Sequence, residues 1–187
     1  MLSSVIIAIA GPHGSGKSTV ARKIASEFGL RYISAGIVFR TYAAEHGFSL
    51  EELSKIVLER PEIDKEIDQL TKEEAIKGDV VIDAQLAGWI TKSNDDFSIF
   101  ITAPFEVRCQ RIATRENISL EQAIRETRVR EESEAKRFKE LYGVDIWDLS
   151  IYDLVINTQR VTAEETTQLV RSAIAEVVLP RKQTTTG

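Results

Sequence analysis

The run Gly11-Pro12-His13-Gly14-Ser15-Gly16-Lys17-Ser18 carries the densest chemistry in the sequence. It fits G-x-x-x-x-G-K-[ST], in which a glycine-rich loop turns backbone N–H groups toward phosphate oxygens. Glycine is required because those amides must approach the phosphate with no side chain in between. Lys17 then brings a mobile positive charge to the β- and γ-phosphates, and Ser18 a hydroxyl for Mg2+. The spacing points to a nucleoside triphosphate bound with its magnesium ion.

Other residues could extend that chemistry. Asp83 ends the apolar run Val80-Val81-Ile82, where a carboxylate can hold Mg2+ or its water shell, or simply cap a turn. Arg108, Arg111 and Arg115 recur at i, i+3 and i+7, and Arg125, Arg128, Arg130 and Arg137 follow. Phosphoryl transfer calls for such a supply, because charge on the migrating group must be neutralised from several directions. Arginine also offers planar, bidentate donors that stay charged. A solvated helix is the competing explanation, since Glu126, Glu131, Glu132 and Glu134 alternate with these arginines and can pair with them. Arg40, one helical turn beyond Gly36, can face the phosphate of a second nucleotide or stand exposed. Tyr32, Trp89 and Trp147 could stack on a base, although aromatic residues more often fill cores. His13 is expected to face solvent above the phosphates, and Cys109 to sit in the core.

The surrounding elements follow from apolar periodicity. Val5 to Ala10 is a short unbroken apolar run, as expected for a buried parallel strand. Val20, Ile24 and Phe28 then recur at helical spacing, with Gly29 as stop. Arg31-Tyr32-Ile33 reads as a second strand. Residues 36–78 read as a helical insertion, with Phe39, Tyr42, Ala43 and His46 on one face and Gly47 ending its first helix. Ser49 and Glu52 form a capping box, and Pro61 opens a longer helix with Ile63, Ile67 and Leu70 inward and Gly78 as stop. Val80–Asp83, Phe97–Ile101 and Leu154–Ile156 are three more strands. Ser119 and Gln122 form a capping box that opens a charged helix running to about Tyr142. Thr162 and Glu165 cap the last helix, whose Leu169, Val170, Ala173, Ile174 and Val177 are expected on the sheet. The pattern predicts an α/β, three-layer fold: a five-stranded parallel sheet with helices on both faces and ligands at the carboxyl ends of its strands.

The 187 residues suit one domain over 1–180, with residues 181–187 as a disordered tail. A net charge of −5 disfavours nonspecific nucleic-acid binding, so any anion site must be a local cluster. No apolar run approaches the roughly 20 residues of a membrane span. The N-terminus lacks the basic segment of a signal peptide. One cysteine precludes an intramolecular disulfide, and two histidines leave little for a histidine metal cluster. The expectation is a cytoplasmic protein, monomer or weak dimer, with no nucleic-acid or membrane partner.

Several further stretches join the loop in a recognisable set. They are Ser34-Ala35-Gly36-Ile37-Val38-Phe39-Arg40, Pro61-Glu62-Ile63-Asp64, Leu86-Ala87-Gly88-Trp89, Arg128 to Glu134, Tyr142-Gly143-Val144-Asp145-Ile146 and Asp148 to Thr158. With these the sequence resembles the nucleoside monophosphate kinases, most closely the archaeal-type cytidylate kinases, over roughly residues 5–178. The resemblance implies ATP and a nucleoside monophosphate as partners, Mg2+ as cofactor, a helical monophosphate-binding region at 36–78 and a mobile lid at about 116–135. It implies that Gly11, Pro12, His13, Gly14, Ser15, Gly16, Lys17, Ser18 and Thr19 bind ATP, with Arg111 and Arg115 at the adenine and γ-phosphate. Asn157 and Thr158 would stand on the adenine side. On the acceptor side it implies Ser34, Gly36, Arg40, Asp83 and Gln85, with Arg130, Glu134 and Arg137 closing from the lid. Lys17, Arg115 and Arg130 would be catalytic, and Ser18 and Asp83 would hold the metal. One departure stands out. Such kinases commonly carry a carboxylate, glycine and arginine after the third strand, where this chain has Asp83-Ala84-Gln85. Gln85 can donate a hydrogen bond but brings no charge to an acceptor phosphate.

The expected reaction is phosphoryl transfer from ATP to CMP or dCMP without a covalent intermediate. Two rivals remain open from sequence: a kinase of the same fold for another small acceptor (AMP, UMP, shikimate or gluconate), and a non-catalytic nucleotide-binding module. Against the second stand the absence of an N-K-x-D guanine signature and the lid-region arginines, which need an anion to close on.

Overall fold

A computed structural model describes residues 5–49, 52–53, 56–57, 60–91 and 97–178. Residues 1–4, 92–96 and the tail 181–187 lie outside the described residues, as do Leu50 and Glu51 within the first capping box. In chain order the elements are β1 (Ile6–Ala10), α1 (Lys17–Phe28), β2 (Arg31–Ser34), α2 (Ala35–Glu45) and α3 (Pro61–Ile76). Then come β3 (Val80–Asp83), the single turn α4 (Ala87–Ile90), β4 (Phe97–Thr102), α5 (Phe105–Glu116) and α6 (Leu120–Tyr142). A 3-10 turn (Leu149–Ile151), β5 (Leu154–Asn157) and α7 (Ala163–Ala173) follow, and α7 runs on as a π turn over Ile174–Val178.

The strands form one parallel sheet in the order β2-β3-β1-β4-β5. Alternate residues of a strand point to opposite faces, and β1 uses both. Ile7 and Ile9 join Val20 and Ile24 of α1 and Val170 and Ile174 at the end of α7 in one core layer. Ala8 and Ala10 face the other way, against Val80, Ile82, Phe100, Ala87 and Tyr152. Burial on both faces explains why the strand sequences are unbroken apolar runs rather than alternating ones. The expected fold class is therefore the observed one.

The insertion between β2 and β3 has its own small core of Tyr42, Ala43, Leu53, Val57 and Ile67. Its first capping box is present, with Ser49 N–H donating to Glu52 Oε2 and Glu52 N–H to Ser49 Oγ. α5 and α6 form an antiparallel hairpin turned at Asn117, whose φ of 54° suits asparagine. The stretch 116–135 is thus the end of α5, a short turn and the first part of α6.

Two local expectations are corrected. Ser119 Oγ accepts from Gln122 N–H, but the Gln122 amide donates to Glu126 instead, so only half of that capping box forms. Leu169 is 52% exposed, because the face of α7 that meets the sheet is set by Thr166, Val170 and Ile174. Val177, in the π turn, packs as expected against the core layer, partly buried. Among the described residues no helix is long and apolar enough to cross a membrane.

Candidate active site

β1 ends at the sheet's carboxyl edge, and the glycine-rich loop carries the chain from it into α1. Gly11 has φ 144°, and a Cβ there would lie 2.0 Å from the Ile101 carbonyl oxygen. Gly14 has φ 76°, and its Cβ would lie 2.5 Å from the carbonyl oxygen of Arg108. Both positions exclude a side chain by conformation and by space. Pro12 is buried at the start of a turn in which Ser15 N–H donates to its carbonyl, 3.3 Å. Gly16 caps α1 with φ 97°, so Lys17 and Ser18 begin the helix and share its N-terminal field.

Over the loop lies a cavity of about 550 Å³, within the range of small-ligand sites. Residues 13–20 line it, with Arg111 and Arg115 from α5 and Thr158, Val161 and Thr166 on the far side. Lys17 is half-buried, and burial lowers its pKa, while Asp83 and Glu134 pull it upward and Arg130 and Arg115 downward. The lysine therefore stands among charges supplied by β3, α5 and α6.

Asp83 is buried at the end of β3. Its Oδ2 accepts a 2.7 Å hydrogen bond from Tyr32 Oη. Burial, and then the Asp83 charge, push the Tyr32 hydroxyl up to about 12. Arg22 lies over the Tyr32 ring at 5.3 Å, so this aromatic ring is engaged already and is not a free stacking surface. Asp83 Oδ1 is buried and accepts no hydrogen bond among the described residues. An oxygen of that kind, with the Ser18 hydroxyl, fits a hard cation such as Mg2+, which keeps most of its ligands as water and phosphate oxygen. No group of three or more His, Cys, Asp or Glu that could cage a metal occurs among the described residues.

Arg111 reaches across the cavity wall. Its Nη1 donates to Thr158 Oγ1 at 2.9 Å and Ser15 O at 3.3 Å, and its Nη2 to Thr158 O at 2.8 Å. Arg115 is exposed at the rim and pairs with Glu116 at 2.6 Å. Asn157 is not among the cavity-lining residues: its Oδ1 accepts from Gln159 N–H at 2.9 Å and shapes the turn after β5. The next residue, Thr158, does line the cavity. Thr19 is exposed and lines the cavity.

His13 departs most from expectation. It does not face solvent: its Nε2 lies 2.7 Å from Glu134 Oε2 of α6 and 3.4 Å from Gln85 Nε2 after β3. Glu134 also accepts from Arg130 Nε at 3.1 Å. Gln85, Glu134 and Arg130 are thus gathered at the loop. Arg137 lies further along α6, its guanidinium 5.1 Å from the Phe138 ring centre. On the insertion side, Ser34 caps α2 by accepting from Ile37 N–H at 3.1 Å. Exposed Arg40 folds back over Gly36, where an added Cβ would lie 3.5 Å from its Nη1. Trp89 packs with Leu86, Phe138, Val144 and Ile146, and Cys109 is fully buried. Trp147 is 47% exposed and lines a second cavity of about 270 Å³ with Phe105 and Arg128.

One residue of this neighbourhood was marked by its spacing but was given no role of its own. Arg108 is buried and donates to Ala103 O, His13 O and both carboxylate oxygens of Glu131. The shared i, i+3, i+7 period could not by itself tell its buried place beside Cys109 from the exposed one of Arg115.

A phosphate loop on the central strand, its lysine at the head of α1 and a carboxylate on the neighbouring strand define the P-loop kinase fold. Solved structures agree. An uncharacterized protein from Eubacterium ventriosum superposes with a TM-score of 0.71 at 20% identity, covering 91% of this chain and 98% of that one. A shikimate kinase from Acinetobacter baumannii gives 0.60 at 18% identity, covering 95% and 97%. Within that fold the chain belongs to the cytidylate kinase-like family, whose model matches residues 6–160. The cytidylate kinase of Staphylothermus marinus is 52% identical over 170 residues, 91% of this chain and 96% of that protein. That of Ignicoccus hospitalis is 49% identical over 166 residues, 89% and 96% respectively.

Proposed function

We propose that this protein transfers the γ-phosphoryl group of ATP to CMP or dCMP, giving ADP and CDP or dCDP. The observation that carries the reading is the convergence on Lys17 of Asp83, Glu134, Arg130 and Arg115. A loop that only held a nucleotide would not need charged groups from three other elements around its lysine. Family membership and relatives named cytidylate kinase supply the acceptor.

The roles follow from position. The loop amides, Lys17 and Arg111 bind the triphosphate, with the base toward Thr158 and Thr166. Arg40, Ser34 and Gly36 receive the acceptor beside Asp83 and Gln85. Arg115 and Arg130, exposed in the structure, turn inward as the 116–135 segment closes, and Glu134 and Arg137 complete that wall. Closure excludes water and protects ATP from hydrolysis. Ser18 and Asp83 would hold Mg2+, which supplies positive charge against the β- and γ-phosphate oxygens. The acceptor phosphate oxygen attacks in line, so these groups position and neutralise rather than bond covalently.

Gln85 keeps a second reading in view, a different small acceptor, because its amide is turned to His13 and it carries no charge. ADP release measured with CMP, dCMP, UMP, AMP and shikimate separates the two. The strongest rate with CMP or dCMP is the expected result, and preference for a non-nucleotide would end the CMP reading.

A further inference from the structure

We infer that Arg108 is a positioning residue for the donor site, acting through the backbone of the phosphate loop and aimed by Glu131. This rests on the donor half of the reading above and does not depend on the acceptor. The guanidinium is buried, and all three of its nitrogens are engaged: Nε with Ala103 O at 3.0 Å, Nη1 with His13 O at 2.9 Å and with Glu131 Oε1, and Nη2 with Glu131 Oε2 at 3.1 Å. A peptide group is planar and trans, so a carbonyl drawn toward Arg108 sends the next N–H the opposite way. The carbonyl is that of His13, and the amide so directed is that of Gly14, a residue lining the cavity.

The same helix repeats the device one turn on. Arg111 takes the carbonyl of Ser15 at 3.3 Å, and so directs the amide of Gly16, which also lines the cavity. Gly14 itself rests on the backbone of Arg108, where a Cβ would come within 2.5 Å of the carbonyl. The loop is therefore held against α5 by its carbonyls, leaving the Gly14 and Gly16 amides for an anion. Stability alone is a poor explanation for the Arg108–Glu131 pair. A buried ion pair often contributes no more than apolar residues of the same volume, whereas removing one member leaves a stranded charge. Glu131 also ties α6 to α5 through Arg108.

The test replaces both members, R108M with E131L, so that no charge is stranded, and adds R108K as a single variant. Kd for Mg·ADP and for adenosine is measured by titration, with thermal unfolding as the check on folding. The double variant should unfold near the wild-type temperature and bind Mg·ADP at least tenfold more weakly, with adenosine affinity within twofold. R108K should not restore Mg·ADP binding, because one ammonium cannot reach the carbonyls and the carboxylate in the geometry of the fork. Mg·ADP binding within twofold of wild type in the double variant, equal losses on both ligands, or rescue by R108K would each overturn the inference. A wild-type protein that failed to bind Mg·ADP would remove the donor site itself, and the inference with it. CMP turnover plays no part in these readings, so failure of the acceptor assignment stays distinguishable.

Discussion

His13 Nε2 and Glu134 Oε2 meet at 2.7 Å, joining the phosphate loop to the long helix α6 across 121 residues of sequence. Burial works to raise the Glu134 pKa, but His13 and Arg130 outweigh it and hold the carboxyl below its ordinary value of 4.5. A depressed carboxyl adds stability that is complete above its unfolded value and is lost as pH falls through the folded one. Wild-type protein should therefore be more stable than Glu134→Gln above about pH 5, with the gap closing under more acidic conditions. Unfolding midpoints followed across this range check it, and parallel curves for the two proteins would remove the linkage.

Lys17 has the opposite sign. Its pKa lies below the ordinary 10.5 because burial penalises the ammonium more than Asp83 and Glu134 favour it. Between the lowered value and 10.5 the unfolded chain binds the extra proton, so stability rises with pH through that window. Lys17→Met should abolish turnover while leaving the ligand-free protein as stable or more stable at neutral pH. Each kcal/mol gained would raise Tm by about 2–4 °C. Calorimetry on the ligand-free protein reads this directly, and a clear fall in Tm would show the lysine to be structurally supporting.

Asp83 Oδ2 accepts from Tyr32, whereas its buried Oδ1, the atom proposed to face the cation, accepts no hydrogen bond among the described residues. Asp83→Asn keeps the shape and the Tyr32 bond but loses the charge. Turnover should fall on the order of a hundredfold or more, with a higher Mg2+ requirement in a magnesium titration. An unchanged magnesium dependence would take Asp83 out of the metal site.

Gly88 supplies a test of packing away from the loop. A Cβ there would lie 2.5 Å from Cε1 of the buried Tyr152 ring. Gly88→Ala should cost about 1–3 kcal/mol by overpacking, measured by denaturant unfolding, with Mg·ADP affinity retained. A neutral result would mean that Tyr152 moves aside easily.

The strand, loop and helix around Lys17 were legible because three local signals agree there: an unbroken apolar run, a glycine spacing and a helical period. The five strands were legible for the first of these reasons. Side-chain partners were harder, since they depend on which elements meet. His13 looked solvent-facing because its partner Glu134 belongs to a hairpin whose docking onto the loop no spacing encodes. Arg108, Arg111 and Arg115 share one periodicity, yet one is buried, one bridges the cavity wall and one is exposed. Helical phase alone does not tell an anchoring guanidinium from a catalytic one. Asn157 and Thr158 are adjacent, and the turn after β5 decides which of them lines the cavity. Leu169 was misplaced for a related reason: two threonines, Thr166 and Thr167, occupy the inward face by bonding back to their own helix.

The most direct test of phosphoryl transfer to CMP follows the phosphorus itself. ATP labelled in its γ-phosphoryl group is incubated with the protein, Mg2+ and CMP, and the products are separated. The label should appear in the β-phosphoryl group of CDP, with little released as inorganic phosphate. Label released as inorganic phosphate whether or not CMP is present, or left wholly in ATP, would contradict the assignment.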